Sequence, residues 1–242
     1  MTSSTDSTRF VILSEARSGT SLLTETLNSH PEITCHGEVF HPDPAWHFRG
    51  TMAKLSNDTL LKLRAEKAAF LDQVFDQPDA KAVGFKMWRI QEPDECARLL
   101  ADGSVSKIIL ERRNKLSQYS STLLAHQTGI WNLSAESGGK KLESAPLVFD
   151  ARAFRNFIAF QTETFDYYRS QATGPTLNIS FSSLVQDGFD GVQDFLGVQR
   201  QPLDPQKRRL HGTDILARFQ QSDHAAIRAE LSSLGQPGWV TE

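Results

Sequence analysis

The sequence lacks the features that mark secreted, membrane-spanning or nucleic-acid-binding proteins. Its two cysteines, Cys35 and Cys96, are too few for a disulfide framework and fit a reducing compartment. No apolar run approaches the roughly 18–20 residues that span a bilayer. The 26 basic residues are outnumbered by 29 acidic ones, and a net charge of -3 does not indicate a nucleic-acid partner. The polar start has no signal-peptide pattern, so we expect a cytoplasmic chain without a transmembrane segment.

Two common nucleotide-binding motifs are also missing. A kinase-type loop of pattern G-x-x-x-x-G-K-[ST] needs a lysine for the β- and γ-phosphates, and no such lysine follows the first predicted strand. The pattern G-x-G-x-x-G of dinucleotide-binding proteins does not occur there either. These absences argue against an ATP-dependent kinase and against a dehydrogenase.

The first predicted strand is nevertheless followed by an anion site. Residues 10–13 form an apolar run that predicts a buried strand, and Leu23 and Leu27 lie on one face of the helix that follows. The small-residue turn between them exposes backbone N–H groups at the positive end of the helix dipole. The candidate ligands of a phosphate or sulfate group are Arg17, Ser18, Gly19, Thr20 and Ser21.

A second cationic segment follows another predicted strand, at residues 106–110. Arg112, Arg113 and Lys115 stand where this strand ends and a helix begins, although cations oppose the dipole at that position. Arg113 and Ser121, eight residues apart, can grip one phosphate from two sides. The alternative is a solvated helix start paired with Glu111. Two anion sites at neighbouring strand ends predict a ligand with two anionic ends.

Strands alternate with helices along the chain, which predicts an α/β fold with a mostly parallel sheet. We expect a disordered tail at residues 1–8 and a single domain at residues 9–242, with loop, lid or insertion segments near 41–57 and 129–149. The predicted strands are 10–13, 33–40, 82–88, 106–110 and 176–181, and the main predicted helices are 58–76, 93–100, 116–125 and 151–171.

The two anion motifs, in this order, resemble those of sulfotransferases, most closely the bacterial carbohydrate sulfotransferases of the trehalose and nodulation-factor type. The likeness covers roughly residues 9–200. It implies a P-loop-like three-layer α/β/α sandwich and the donor 3′-phosphoadenosine 5′-phosphosulfate (PAPS), which leaves as 3′-phosphoadenosine 5′-phosphate (PAP). It further implies a hydroxyl acceptor, either a carbohydrate or another small metabolite, and a possible homodimer.

The resemblance also implies catalytic roles. It places a glutamate base at Glu38, while His36 is a rival base because histidine titrates near neutrality. Lys86, at a predicted strand end, either contacts the donor or forms a structural ion pair. Arg17 stabilises charge on the leaving group without acting as a general acid, because a guanidinium keeps its proton at neutral pH. No metal is expected, since the spacing of the nearby histidines and Cys35 fits no zinc pattern.

Some features depart from the family or stay ambiguous. Many sulfotransferases have lysine where this chain has Arg17, although arginine occurs in the bacterial branch. The segment that closes over the 3′-phosphate in animal enzymes has no clear match. A basic run either replaces it or is a solvated surface; its members are Lys207, Arg208 and Arg209. Four aromatic residues line a sugar site or pack in the core or a lid, namely Trp46, Phe48, Trp88 and Trp131. The alternative functions are a P-loop-type small-molecule kinase and a non-catalytic nucleotide-binding protein.

Overall fold

The computed structural model describes residues 7–44, 47–131, 144–204 and 212–242. Most of the predicted tail, Trp46 and the basic run at 207–209 lie outside these residues. The described strands are β1 (Thr8–Leu13), β2 (Ile33–Glu38), β3 (Ala82–Met87), β4 (Ser106–Glu111) and β5 (Thr176–Ser180). The described α-helices are α1 (Thr20–Leu27), α2 (Asn57–Arg64), α3 (Lys67–Phe75), α4 (Pro93–Ala101), α5 (Lys115–Thr128), α6 (Ala151–Gln171), α7 (Phe181–Asp187), α8 (Asp190–Leu196) and α9 (His224–Ser233).

The strands form one sheet in the order β2-β3-β1-β4-β5, and every neighbouring pair is parallel. This confirms the predicted α/β class with its parallel sheet. Since all five strands run the same way, the residues that follow them meet at one edge of the sheet, where ligands of such folds bind. Strand β1 lies at the centre, so the turn after it is flanked by the ends of β3 and β4.

Helices cover both faces of this sheet and complete three layers. Along β1, Val11 and Leu13 face one core with residues of α3, α4 and α6, while Phe10 and Ile12 face the other core with residues of α1 and α8. Burial on both faces of the sheet explains why residues 10–13 of β1 form a continuous apolar run. A third core joins α5 and α6 to α9 and to the 3₁₀ turn Pro237–Val240.

The helix predicted at residues 58–76 is two helices, and that prediction was wrong in its continuity. Leu60 and Leu63 begin an apolar stripe, but the next positions on that stripe are Arg64 and Lys67. The chain therefore breaks after Arg64, and α3 starts a new helix that buries Phe70 on a different line. The C-terminal helix α9 was not predicted from the sequence.

Candidate functional site

The turn between β1 and α1 has two residues with left-handed backbone conformation. Gly19 has φ of +95° at the start of α1, and Arg17 has φ of +63°. A Cβ atom on Gly19 would lie 2.3 Å from the ring of Phe181 in α7, so this position needs glycine for both conformation and space. The turn thus curls tightly at the N-terminus of α1, where free N–H groups bind anions.

Two side chains hold the Arg17 turn from outside. Gln118 Nε2 in α5 donates to the carbonyl of Ala16 at 2.8 Å and to Ser18 Oγ at 3.0 Å. Arg112 Nη1 donates to the carbonyl of Arg17 at 3.1 Å. A non-glycine residue in the left-handed region costs about 1–2 kcal/mol, which these bonds offset. Gln118 lies three residues before Ser121 on α5, and this spacing indicates that the two side chains lie on the same face of the helix.

The Arg17 side chain is a partly buried cation whose hydrogen-bond partners among the described residues are neutral. Its Nε donates to Ser121 Oγ at 2.9 Å, and its Nη1 donates to the carbonyl of Trp131. Among residues 7–44, 47–131, 144–204 and 212–242, no carboxylate pairs with Arg17. Burial, and then the charge of Arg112, lower the pKa of Arg17 to about 10. Such a site favours an anion, which would replace the lost solvation.

The three cations that follow β4 have three different environments. Arg112 lies over the ring of Phe181 at 4.9 Å and forms a buried ion pair with Glu242. Lys115 pairs with Glu111 at 2.8 Å, so the structural alternative considered above applies to this lysine.

Arg113 differs from both neighbours. Its side chain is exposed, and within the described part of the chain it has no hydrogen bond or ion pair. It therefore presents a charge that a ligand can use. Ser121 is buried and bonded to Arg17, and among the described residues no hydrogen bond joins it to Arg113, the other member of the predicted pair.

Glu38 is brought beside Lys86 by an irregularity in β2. The register of β2 with β3 shifts between His36 and Glu38, so that Glu38 rather than Gly37 stands opposite Lys86. Lys86 Nζ lies 3.0 Å from Glu38 Oε1, and both side chains are more than nine-tenths buried. The sequence allowed either a donor contact or an ion pair for Lys86, and the ion pair is present.

Glu38 has two further polar neighbours. The first is Gln91, whose Nε2 donates to Glu38 Oε2 at 2.8 Å. The second neighbour of Glu38 is His47, whose Nδ1 accepts from the backbone N–H of Glu38 at 3.1 Å. The ion-pair partner Lys86 also reaches α1, where its Nζ donates to Ser21 Oγ at 3.4 Å. A chain of contacts therefore links the candidate base to the candidate donor loop. Gln91 carries no pattern that a sequence could have revealed.

His36 lies in the core, and the structure does not support it as the rival base. Its Nδ1 accepts from the N–H of Arg49 at 3.0 Å, and its Nε2 donates to the carbonyl of Val74 at 3.1 Å. Burial lowers the pKa of His36 to about 4. With both ring nitrogens engaged and no exposed surface, His36 has no nitrogen for an acceptor hydroxyl.

Glu15 is a further buried acid beside the loop that the sequence did not single out. The residue is 4% exposed, and its Oε1 has no hydrogen-bond partner among the residues that the structure describes. Burial raises the pKa of Glu15 to about 7, against the opposing effects of Tyr168 and Lys115. It lies on the same sheet face as Tyr168, whose hydroxyl donates to the carbonyl of Ser14 at 3.2 Å.

The aromatic candidates divide between core and surface. Phe48 is buried in a core, which supports the packing interpretation for that residue. Trp131 is 38% exposed, packs its ring against His126 and lies beside Arg17 through its carbonyl. In the described ranges, no helix is long and apolar enough to cross a membrane, and no cluster of three or more His, Cys, Asp or Glu side chains suits a metal ion.

Comparisons with known proteins agree with this geometry. A sequence profile of the sulfotransferase family matches residues 9–150, a span that contains the Arg17 loop, Glu38, Lys86 and the Arg113–Ser121 segment. No curated protein sequence matches the chain.

Three solved structures are similar to the chain in fold. The sulfotransferase domain from the curacin biosynthetic pathway has a TM-score of 0.50 and 17% identity, covering 91% of this chain and 86% of its own. Mouse sulfotransferase SULT7A1, solved in complex with PAP, has a TM-score of 0.48 and 10% identity over 93% and 84%. A sulfotransferase from Alicyclobacillus acidocaldarius has a TM-score of 0.41 and 19% identity over 93% and 95%.

Proposed function

The chain belongs to the sulfotransferase family, a family of PAPS-dependent enzymes, and on this premise we propose that it sulfates a hydroxyl group of a carbohydrate. The observation that carries the site assignment is the partly buried Arg17 guanidinium, whose hydrogen-bond partners in the described part of the chain are neutral, together with the exposed Arg113 after the neighbouring strand β4. A donor with a 5′-phosphosulfate and a 3′-phosphate supplies an anion to each cation.

The donor is held at both of its anionic ends. Arg17 and the N–H groups that begin α1 bind the 5′-phosphosulfate, together with the hydroxyls of this loop. Arg113 binds the 3′-phosphate with Ser121, whose hydroxyl already contacts Arg17 at 2.9 Å and so links the two subsites. The basic run at residues 207–209 contributes further charge in this proposal. The full set assigned to donor binding is Arg17, Ser18, Gly19, Thr20, Ser21, Arg113, Ser121, Lys207, Arg208 and Arg209.

The transfer follows an in-line displacement at sulfur. The acceptor oxygen forms a bond to sulfur, its proton passes to the carboxylate of Glu38, and the bond from sulfur to the 5′-phosphate oxygen breaks. The leaving electron pair stays on PAP, where Arg17 and the loop N–H groups stabilise the new charge. Lys86 lies between Glu38 and Ser21, so it orients the base relative to the donor loop.

A carbohydrate acceptor is supported by the surface beside Arg17. Trp131 is partly exposed, and its carbonyl accepts from Arg17, so in this proposal its indole ring contributes to the acceptor site beside the donor. Aromatic faces combine an apolar surface with a polar edge, which suits the C–H face of a sugar ring. The proposed cytoplasmic location is supported by the two buried free cysteines. The proposed homodimer rests on the family resemblance.

Calorimetric titration with PAP tests the donor site. Arg17→Ala and Arg113→Ala should each weaken PAP binding by about 10- to 100-fold, because each removes a charge-assisted contact to phosphate. Arg155→Ala is the matched control, since this exposed arginine pairs with Glu230 and should not change affinity. Tighter binding of ATP with magnesium than of PAP would favour the kinase alternative and contradict the proposal.

Turnover is tested by mass spectrometry of sulfated products from a panel of sugars and other hydroxylated metabolites. Glu38→Gln should retain PAP affinity within about twofold and lose at least about 100-fold in rate, because the amide cannot take the proton. A Glu38→Gln enzyme that sulfates its acceptor at the wild-type rate would remove the base assignment. Binding of PAP without any sulfated product would favour the non-catalytic alternative.

A further inference from the structure

Gln91 is the polar contact of Glu38 that neither donor binding nor sulfuryl transfer explains. It lies in the 3₁₀ turn Arg89–Gln91, directly after β3, and is partly buried. Its Nε2 donates to Glu38 Oε2 at 2.8 Å, while its Oε1 accepts from the backbone N–H of Trp88 at 3.0 Å. One amide thus bridges the candidate base and the backbone at the end of β3.

The backbone contact determines which end of the amide faces Glu38. The N–H of Trp88 is a donor only, so its partner on Gln91 must be the oxygen, and the NH₂ group must point to the carboxylate. Rotating the amide would place two donors together at Trp88 and two acceptors together at Glu38. The orientation of Gln91 is therefore set by the fold and does not depend on a bound ligand.

Glu38 consequently has a different donor on each carboxylate oxygen. Lys86 occupies Oε1 at 3.0 Å and Gln91 occupies Oε2 at 2.8 Å, which fixes the plane of the carboxylate. Lys86 brings a positive charge, whereas Gln91 brings a neutral donor. A hydrogen bond donated to a carboxylate favours its charged form, which is the form that accepts a proton.

We propose that Gln91 is a positioning residue of the sulfotransfer reaction, which orients Glu38 through Oε2 and keeps it ready to accept the acceptor's proton. This inference rests on the proposed function, because it assumes that Glu38 is the base. It assigns Gln91 no contact with the donor, so donor affinity should not depend on it. The role also explains why glutamine suits this position and glutamate does not. Two carboxylates at hydrogen-bond distance cannot both stay charged, so a glutamate at position 91 would favour a proton on the pair and occupy the base.

The test compares Gln91→Met and the isosteric Gln91→Glu with a matched control, Gln77→Met. Gln77 likewise bridges a backbone N–H and a side-chain oxygen, accepting from the N–H of Thr51 at 3.4 Å and donating to Thr51 Oγ1 at 3.2 Å. We expect kcat to fall about tenfold in Gln91→Met, with the KM for PAPS and the PAP affinity unchanged within about twofold. The acid limb of its pH–rate profile should move to higher pH, and further still in Gln91→Glu.

A double-mutant cycle shows whether Gln91 acts through Glu38. In a Glu38→Gln background, Gln91→Met should reduce the residual rate by less than about twofold, because its target is already removed. Equal effects in both backgrounds, or an acid limb that matches wild type and Gln77→Met, would overturn the inference. If Glu38→Gln itself turns over normally, the proposed base fails, and the role of Gln91 fails with it. If Glu38→Gln is inactive and the Gln91 variants are normal, only the role of Gln91 fails.

Discussion

Glu15 gives the sharpest stability prediction for this fold. The residue lies two positions before Arg17 and is 4% exposed, and within the described part of the chain its Oε1 has no partner. Burial raises its pKa from an ordinary value of 4.5 to about 7, because the charged form loses more solvation than Tyr168 and Lys115 restore. Replacing Glu15 with glutamine keeps the shape and removes the ionisation.

The sign and size of the effect follow from proton linkage. Between pH 4.5 and about 7 the folded chain keeps a proton on Glu15 that the unfolded chain has released, so the free energy of unfolding falls as the pH rises through this window. One pKa unit corresponds to about 1.4 kcal/mol, and the whole loss is therefore about 3 kcal/mol above the window. The Glu15→Gln variant has no such loss.

Urea unfolding of both proteins measures this difference. At about pH 5 the two free energies of unfolding should be similar, whereas at about pH 8 Glu15→Gln should be more stable by about 3 kcal/mol. Glu163→Gln, an exposed substitution on α6, controls for the loss of one surface charge. If wild type and Glu15→Gln keep the same difference at both pH values, the carboxyl does not titrate in this window and the reasoning is refuted.

Three further predictions concern close packing and buried groups. Gly37→Ala should reduce turnover at least about tenfold while PAP still binds, because the new Cβ would come within 2.6 Å of His47 Nδ1, which accepts from the Glu38 N–H. Steady-state kinetics measures the turnover and calorimetry measures the PAP affinity. A normal kcat would contradict this prediction. Glu242→Gln should lower the free energy of unfolding by about 2–4 kcal/mol in urea, since Arg112 would lose its buried partner, and an unchanged midpoint would argue against that ion pair. Cys35 and Cys96 should resist iodoacetamide at about pH 8 in the native state and react in urea, because both thiols are buried and burial raises their pKa to about 12. Mass spectrometry measures the labelling. Rapid labelling of the native protein would show that the thiols are accessible and would contradict the prediction.

Local patterns were enough to predict the parallel sheet and the turn between β1 and α1. Residues 10–13 and 108–110 are buried on both faces of the sheet, so each strand contains an apolar run that predicts it. The loop at residues 17–21 follows from adjacent residues alone, since its N–H groups need only the start of α1. Helix α6 was predicted over residues 151–171, the range that it occupies, because its apolar side chains recur at helical spacing.

Contacts between distant segments account for what the sequence left open. Glu111 lies close to Lys115 in the chain, and the sequence offered this pairing as an alternative. The partner of Arg112 is Glu242, which is 130 residues away, and no local pattern could have indicated it. His36 appeared a possible base until the core enclosed it, because burial is a property of the packed layers and not of its neighbours in sequence.

The arrangement around Glu38 has the same origin. Short-range chemistry specified the strands and the turn after β1, since each depends on residues within a few positions of one another, and the order of two such short motifs indicated the family. The orientation of Glu38 by Lys86 and Gln91 depends on the register of β2 against β3 and on the turn after β3. Side chains 48 and 53 positions apart are brought to hydrogen-bond distance by packing, which no local pattern encodes.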